Sequence, residues 1–321
     1  MSKKQGKELN IFERCAVEII WALCYLIGHL PHFVLYNIIA PVVYFILYRM
    51  VGYRRRVVME NLERSFPRRS EEEREEIARK FYVVMSEILV GMLALANRKA
   101  GDSIFPTMEE ESDDPDRATR LRVLTKDQSW IALTAHFGMW EYLCWWTQFA
   151  DQWLFAVYHV LKNRIFEKLF QRLRSNYKVI PIPAKEVLRA TIKTGPRYNG
   201  EPYVLGLIAD QSPRLTPKKE WFDFLGRDTV FYDGGEKMAL RLKMPTYFVY
   251  QRRRARGRYE FCFREIWDGK ESVEPNEITS RYVKMLEEKI IDNPEMWLWS
   301  HRRWKSSRDS HKDKAWSSVR E

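Results

Sequence analysis

A chain of 321 residues with 54 Lys and Arg against 43 Asp and Glu carries a formal charge of +11 and has length for one large core or two modest ones. With 45% apolar and 30% charged residues, general disorder is excluded, and the basic excess suits nucleic acid, an anionic membrane face, or a phosphorylated or acidic ligand. The 12 Trp tilt that choice towards a bilayer, because indole favours cores and membrane interfaces alike. Cys15, Cys24, Cys144 and Cys262 form no C-x-x-C, so they read as structural thiols in a reducing compartment, with neither metal nor disulfide.

The run "CAVEIIWALCYLIGHLPHFVLYNIIAPVVYFILYRM" (15 to 50) is broken at Glu18, Gly28, His29, Pro31, His32, Asn37 and Pro41. No small-residue cleavage site follows a short apolar stretch, so a removed signal peptide fits poorly. The part from Phe33 to Met50 nearly reaches the about 20 residues that a membrane span needs. Arg54, Arg55 and Arg56 follow it, which argues for a cytoplasmic end, although Lys3, Lys4, Lys7 and Arg14 make the other flank basic too. A single spanning helix, a broken pair within one leaflet and a buried hairpin of a soluble protein are the three readings, and membrane attachment is favoured. The expected division is a membrane-anchoring helical region over 1–56, an α/β domain over 57–306 and a polar tail over 307–321.

"RSEEEREEIARKFYVVMSEILVGMLAL" (69 to 95) predicts a helix, with Ser70 as N-cap and Glu in its first turn. The acidic run 108–120 reads as a solvated loop. Short apolar runs then alternate with helical patterns. Strands are expected over 129–135, 153–159, 177–183 and 202–209, with helices up to Trp146, over 164–175 and over 184–194. The segments 245–251 and 258–266 look like an antiparallel pair around a basic linker, "RRRARG", and a helix is expected over about 277–291. This order predicts an α/β fold with a mixed, partly parallel sheet flanked by helices, and no internal repeat.

"LTAHFGMWEY" (133 to 142) places His136 after a strand and Glu141 five positions on. On one regular helix residues so spaced lie about 500° apart, so the two can meet only if His136 sits in the turn and Glu141 in the first turns of the helix. The carboxyl ends of strands in open α/β sheets are where ligands bind. A carboxylate on one imidazole nitrogen fixes the tautomer and leaves the other nitrogen as a general base. There is no G-x-S-x-G elbow, so the base would activate a hydroxyl of the substrate itself. A turn histidine capping a helix is the competing reading.

The neighbouring segments widen the pattern. With "HFGMWE", the segments "YRRRVVMENLERSFP" (53 to 67), "VYHVLKNRIFEKLFQRLRS" (157 to 175), "IADQSPR" (208 to 214) and "WLWSHRRWK" (297 to 305) resemble, in the right order, the bacterial lipid A biosynthesis acyltransferases of the late lauroyl and myristoyl type. The resemblance covers most of the chain and implies a glycerolipid-acyltransferase-like fold. It also implies transfer of a fatty acyl chain from an acyl carrier protein thioester, or from acyl-CoA, to a hydroxyl of a lipid A precursor or similar glycolipid. His136 would then be the base and Glu141 its orienting carboxylate, with the family's functional arginine at Arg174 and aspartate at Asp210. His159 stands where the family often has Arg.

Arg174 offers a forked donor for a phosphate or a developing oxyanion. It is also the expected partner of Asp210, a lone carboxylate closing an apolar run; a turn or N-cap role is the alternative for Asp210. Gln211, Asn163 and Arg172 complete the candidate substrate-binding set. The cationic and aromatic run "NRIFEKLFQRLR" (163 to 174) and "HRRWK" (301 to 305) contain no recognisable nucleic-acid module, so the expected partners are acyl carrier protein, a glycolipid or phospholipid acceptor and the inner membrane, with the catalytic domain on its cytoplasmic side. No cofactor and no metal are expected. The rival functions are an acyltransferase for another acceptor, such as an aminolipid or lysophospholipid, and a non-enzymatic lipid-binding protein of the membrane surface.

Overall fold

Six strands form the main sheet, and their order follows from which apolar runs are buried on both faces. The computed structural model describes residues 9–96, 128–150, 152–175, 177–213 and 220–305, so the acidic run 108–120 and the polar tail lie outside the described residues. Strands β1 (Trp130–Thr134), β2 (Trp153–Tyr158), β3 (Val179–Pro183) and β4 (Tyr203–Ile208) are followed by a small hairpin of β5 (Trp221–Asp223) and β6 (Asp228–Val230), then β7 (Thr246–Ala255) and β8 (Arg258–Trp267). The sheet order is β3-β2-β4-β1-β7-β8; all neighbours are parallel except β7 and β8, which form an antiparallel edge pair. "WIALT" and "YVLGLI" are continuous apolar runs rather than alternating ones because β1 and β4 are central and covered on both sides. "VIPIP" tolerates Pro181 and Pro183 because β3 is an edge, where a missing amide donor breaks no inner ladder.

The helices are α1 (Ile11–Gly28), α2 (Val34–Met50), α3 (Arg55–Ser65), α4 (Glu71–Ala94), the short α5 (Trp146–Phe149), α6 (Arg164–Ser175), α7 (Val187–Thr194), α8 (Gly234–Leu242) and α9 (Glu277–Asp292). The start of α4 is fixed as expected: Glu73 N donates to Ser70 Oγ and Ser70 N donates to the Glu73 carboxylate, a reciprocal cap. The helix expected directly after β1 is instead a 3-10 turn, Trp140–Trp145, leading into α5. Helix α3, helix α8 and the β5–β6 hairpin are additions to the expected order.

In α2, wide π turns over Val34–Ile39 and Phe45–Met50 flank Ala40–Tyr44, and the chain passes through Pro41 without ending. A widened turn absorbs the hydrogen bond that Pro cannot donate. No single described helix is long and apolar enough to cross a membrane; α2 and α3 together pass on length and composition but bend by 85° between them.

The basic "RRRARG" is strand rather than linker. Arg252, Arg253 and Arg254 continue β7, and the turn falls at Arg256 and Gly257. The arginines remain in the ladder because each has an acid beside it. Arg253 makes two hydrogen bonds to the buried Glu87 of α4, at 2.9 and 2.6 Å, and Arg252 and Arg254 flank the buried Glu260. Glu87 also accepts from Tyr259 at 2.9 Å and from Gly257 N at 3.3 Å, so a single carboxylate clamps the whole hairpin tip to α4.

Gly257 has φ +65°, and a Cβ there would lie 2.4 Å from the Tyr36 ring of α2. Gly257→Ala is therefore expected to lower stability by about 2 kcal/mol or more, through both the left-handed backbone and the overlap. A thermal midpoint equal to wild type would contradict this account of the tip.

Candidate active site

Pairing of β1 with β4 puts Thr134 opposite Ile208, so two residues further on His136 faces Asp210 across the carboxyl edge of the sheet. The segments "LTAH" and "LIAD" run in step, each an apolar strand end closing on a polar group. His136 Nδ1 lies 2.8 Å from Asp210 Oδ1, and the His136 backbone N–H donates to Oδ2 at 3.1 Å. Trp297 Nε1 donates to the same Oδ2 at 2.9 Å. Asp210 is 3% exposed. Burial alone would raise its pKa, but the imidazole beside it and the three hydrogen bonds outweigh that and hold the carboxyl below its ordinary range.

An ionised carboxylate can only accept, so the proton of the ring sits on Nδ1 and Nε2 carries the free lone pair. Nε2 lies 3.2 Å from the Gln211 side-chain amide. The ring is packed edge-on against Trp140, centroids 4.8 Å apart, yet the side chain stays 16% exposed and reachable.

Three segments hold this turn. Phe137 bridges Trp297, Leu298 N donates to His136 O at 3.1 Å and Gly138 N donates to Met296 O at 2.9 Å, so the C-terminal "MWL" lies antiparallel along it. Gly138 has φ +65°, and a Cβ there would meet Met296 Cε at 2.8 Å and Gln251 Oε1 at 2.9 Å. Behind this segment, Asn61 of α3 donates to the carbonyls of Trp299 at 2.8 Å and His301 at 2.9 Å, and Arg54 to Ser300 O at 3.0 Å. The "YRRRVVMENL" and "WLWSH" segments, far apart in sequence, thus brace one another beside His136.

Glu141 does not reach His136. It sits in the 3-10 turn, 8% exposed, with its carboxylate turned to Arg174 on α6, whose Nη2 lies 3.0 and 3.2 Å from its two oxygens. The expected orienting carboxylate is therefore replaced: Asp210 holds the imidazole, because the adjacent parallel strand brings it there in register. The expected Asp210–Arg174 pair is replaced for the same reason. Burial would lower the Arg174 pKa, but Glu141 beside it carries the balance upward and keeps the guanidinium charged. Cys144, buried against the pair, has its thiol pushed up to about 12 by burial and by Glu141, so it is an inert packing group.

Two further expected binding residues are used inside the fold. Arg172 pairs with Glu18 of α1 at 2.8 Å and lies over the Trp21 ring at 4.5 Å. Asn163 caps α6, its Oδ1 accepting from Ile165 N at 3.0 Å and Phe166 N at 3.2 Å. His136, Asp210 and Gln211 are brought together; Glu141 and Arg174 form a separate pair; Asn163 and Arg172 serve α6. The residue that sequence reasoning missed is Trp297. Its only sequence signal was membership of the Trp-rich C-terminal segment. No group of three or more potential metal-ligating side chains occurs among the described residues.

A family model described as bacterial lipid A biosynthesis acyltransferase matches residues 2–306, and the chain belongs to that family. It is an acyltransferase acting on lipid substrates. Among solved structures it is similar to the 1-acyl-sn-glycerophosphate (LPA) acyltransferase PlsC from Thermotoga maritima, with 16% identity and a TM-score of 0.35, covering 90% of this chain and 100% of that one. No curated protein matches the chain.

Removing one half of the buried Glu141–Arg174 pair leaves an uncompensated charge. Glu141→Gln is expected to lose about 3 kcal/mol or more of stability and to show a clearly lower thermal midpoint. An unchanged midpoint with lost activity would instead return Glu141 to the chemistry.

Proposed function

We propose that the protein transfers a fatty acyl chain from an acyl carrier protein thioester, or from acyl-CoA, to a hydroxyl of a lipid A precursor or similar glycolipid, with His136 as general base and Asp210 as the carboxylate that orients it. The observation that carries this reading is the 2.8 Å contact between His136 Nδ1 and a buried Asp210, which leaves Nε2 as the basic nitrogen of a partly exposed side chain. The acceptor hydroxyl takes the place of the Gln211 amide at Nε2. Its oxygen attacks the thioester carbonyl carbon as its proton passes to Nε2. The tetrahedral intermediate then collapses, breaking the carbon–sulfur bond, and the leaving sulfur takes the proton from the imidazolium, giving ester and thiol.

Arg174, expected as a donor to the oxyanion, is committed to Glu141, and the Gly138 N–H of the turn donates to Met296 O. Gln211, released from Nε2, is the amide nearest the reacting atoms and takes that role.

Attachment to the cytoplasmic face of the inner membrane is part of the same proposal. Helix α1 pairs Glu13 and Glu18 with Arg164 and Arg172 of α6, at 2.9 and 2.8 Å, while Phe12, Ile19, Leu23 and Leu26 stay exposed. Phe33, Phe45 and Met50 continue the apolar surface along α2. A helix lying in one leaflet presents this division of faces.

Asp210→Asn is expected to keep the thermal midpoint close to wild type while lowering transfer from acyl-carrier thioester by about 10³-fold or more, and His136→Ala to do the same. Transfer within a few-fold of wild type in either variant would end the mechanism. Flotation with vesicles of anionic phospholipid is expected to carry the full chain upward, and Phe12→Glu combined with Leu23→Glu to reduce the floated fraction several-fold; a chain that stays at the bottom of the gradient would exclude the attachment.

A further inference from the structure

Several arginines that pack against the folded body are neutralised by a carboxylate. Arg172, Arg174, Arg253, Arg254, Arg264 and Arg281 each make an ion pair at 3.0 Å or less. Near the dyad, through Ser212 and Asp210, two arginines instead keep buried guanidinium nitrogens with no partner among the described residues. Arg227, in the turn between β5 and β6, lies 3.9 Å over the ring of Trp304 and has a buried Nη1 with no hydrogen-bond partner among the described residues. Trp304 is fixed there by donating Nε1 to Thr229 Oγ1 at 2.8 Å.

Behind it, Arg303 is 3% exposed, donates to Val230 O at 2.5 Å and to Ser212 Oγ at 3.4 Å, and leaves its Nε without a partner. Ser212 is two residues from Asp210 in the chain, and its hydroxyl also binds the Arg303 carbonyl. Arg64, at the end of α3, is close enough to repel Arg227.

No carboxylate is paired with Arg64, Arg227 or Arg303 among the described residues. Asp210, which attracts Arg303, is already bound by His136 and Trp297. Glu60, beside Arg64 and Arg302, is held by Arg56 at 2.7 Å. Gathering these cations without a counter-charge is unfavourable for the protein alone. Burial depresses Arg227 and Arg303 to about 10, with repulsion from Arg64 adding at Arg227. Charge left uncompensated beside a reaction centre is the mark of a site completed by an external anion.

We propose that Arg227, stacked on Trp304, with Arg303 behind it and Arg64 at its rim, binds a phosphate group of one of the two substrates and so sets where the reacting hydroxyl or thioester stands relative to His136. This rests on the acyl-transfer reading for its purpose but not for its existence, because the cation cluster is there whichever reaction the dyad performs. The phosphate has two possible sources of the same chemistry: a phosphorylated lipid acceptor, or the phosphopantetheine arm of the donor. The role expected of Arg174 as phosphate donor thus passes to Arg227, since Arg174 is held by Glu141.

The test has a binding arm and a transfer arm. Inorganic phosphate is titrated calorimetrically into the full chain in detergent at constant ionic strength. Saturable binding is expected, weakened about tenfold by Arg227→Gln and severalfold by Arg64→Gln, an exposed position that folding does not depend on; Arg189→Gln, on the exposed side of α7, should leave it unchanged. Absence of binding by wild type, or equal binding by wild type and both variants, overturns the site.

In the transfer arm, the same variants are assayed with a phosphate-free thioester of N-acetylcysteamine in place of the carrier thioester, and with acceptor before and after phosphatase treatment. The Arg227→Gln defect is expected to vanish with whichever phosphate is removed, which names its source; a defect that persists when both are absent counts against the site. Phosphate binding that depends on Arg227, in a chain that transfers no acyl group, would keep the site and sink the acyl-transfer reading instead.

Discussion

The carboxyl edge of the sheet depends on one constraint, the parallel register of β1 against β4. A strand cannot slip by one residue without turning every side chain to the other face, so burial of "WIALT" and "YVLGLI" on both sides locks Thr134 to Ile208. His136 and Asp210 then face one another as a consequence of core packing rather than of any local loop preference. Asp210 stays ionised in a buried place because three donors converge on it: the imidazole, a backbone amide and the Trp297 indole. The pair sits two residues beyond the strand ends, positioned by the sheet register.

Around that pair, the fold separates two tasks that sequence places side by side. Glu141 is five residues from His136, yet its carboxylate stabilises the packing of α6 through Arg174, while the imidazole takes its acid from another strand. The 3-10 turn after Gly138 explains why. It carries Trp140 against the ring and points Glu141 inward, so the Glu141–Arg174 pair fixes the wall that the imidazole leans on. The C-terminal segment acts from the other side, zipped along residues 136 to 138 and held in turn by Asn61 and Arg54. Charge with and without a carboxylate partner then has different meanings: Glu87 and Glu141 lock arginines into the fold, whereas Arg227 and Arg303 have no acid of their own.

Much of this arrangement was legible in residue order. The capping box at Ser70, the alternation of strands and helices, the antiparallel last pair and the placement of His136 after a strand follow from local rules. Other elements resist such reading because their cause is distant. "RRRARG" has the composition of a linker but forms strand against β8, with Glu87, 166 residues away from Arg253 in the chain, buried beside Arg253 and Glu260 between Arg252 and Arg254. Arg172 and Asn163 looked available for substrate until α1 and the start of α6 claimed them.

The chain by itself determined the class of fold and the place of His136 after a strand, because periodic burial and a strand followed by a turn are local properties that 3.6- and 2-residue repeats express directly, while the family was carried by the resemblance of five ordered motifs. Only the tertiary structure decided which acid serves that imidazole and which cations remain unpaired. Both are questions of register and of contacts between segments remote in sequence, and electrostatic partnership depends on distance in space, where a spacing of five residues on a 3-10 turn and one of 74 residues across two strands compete on equal terms.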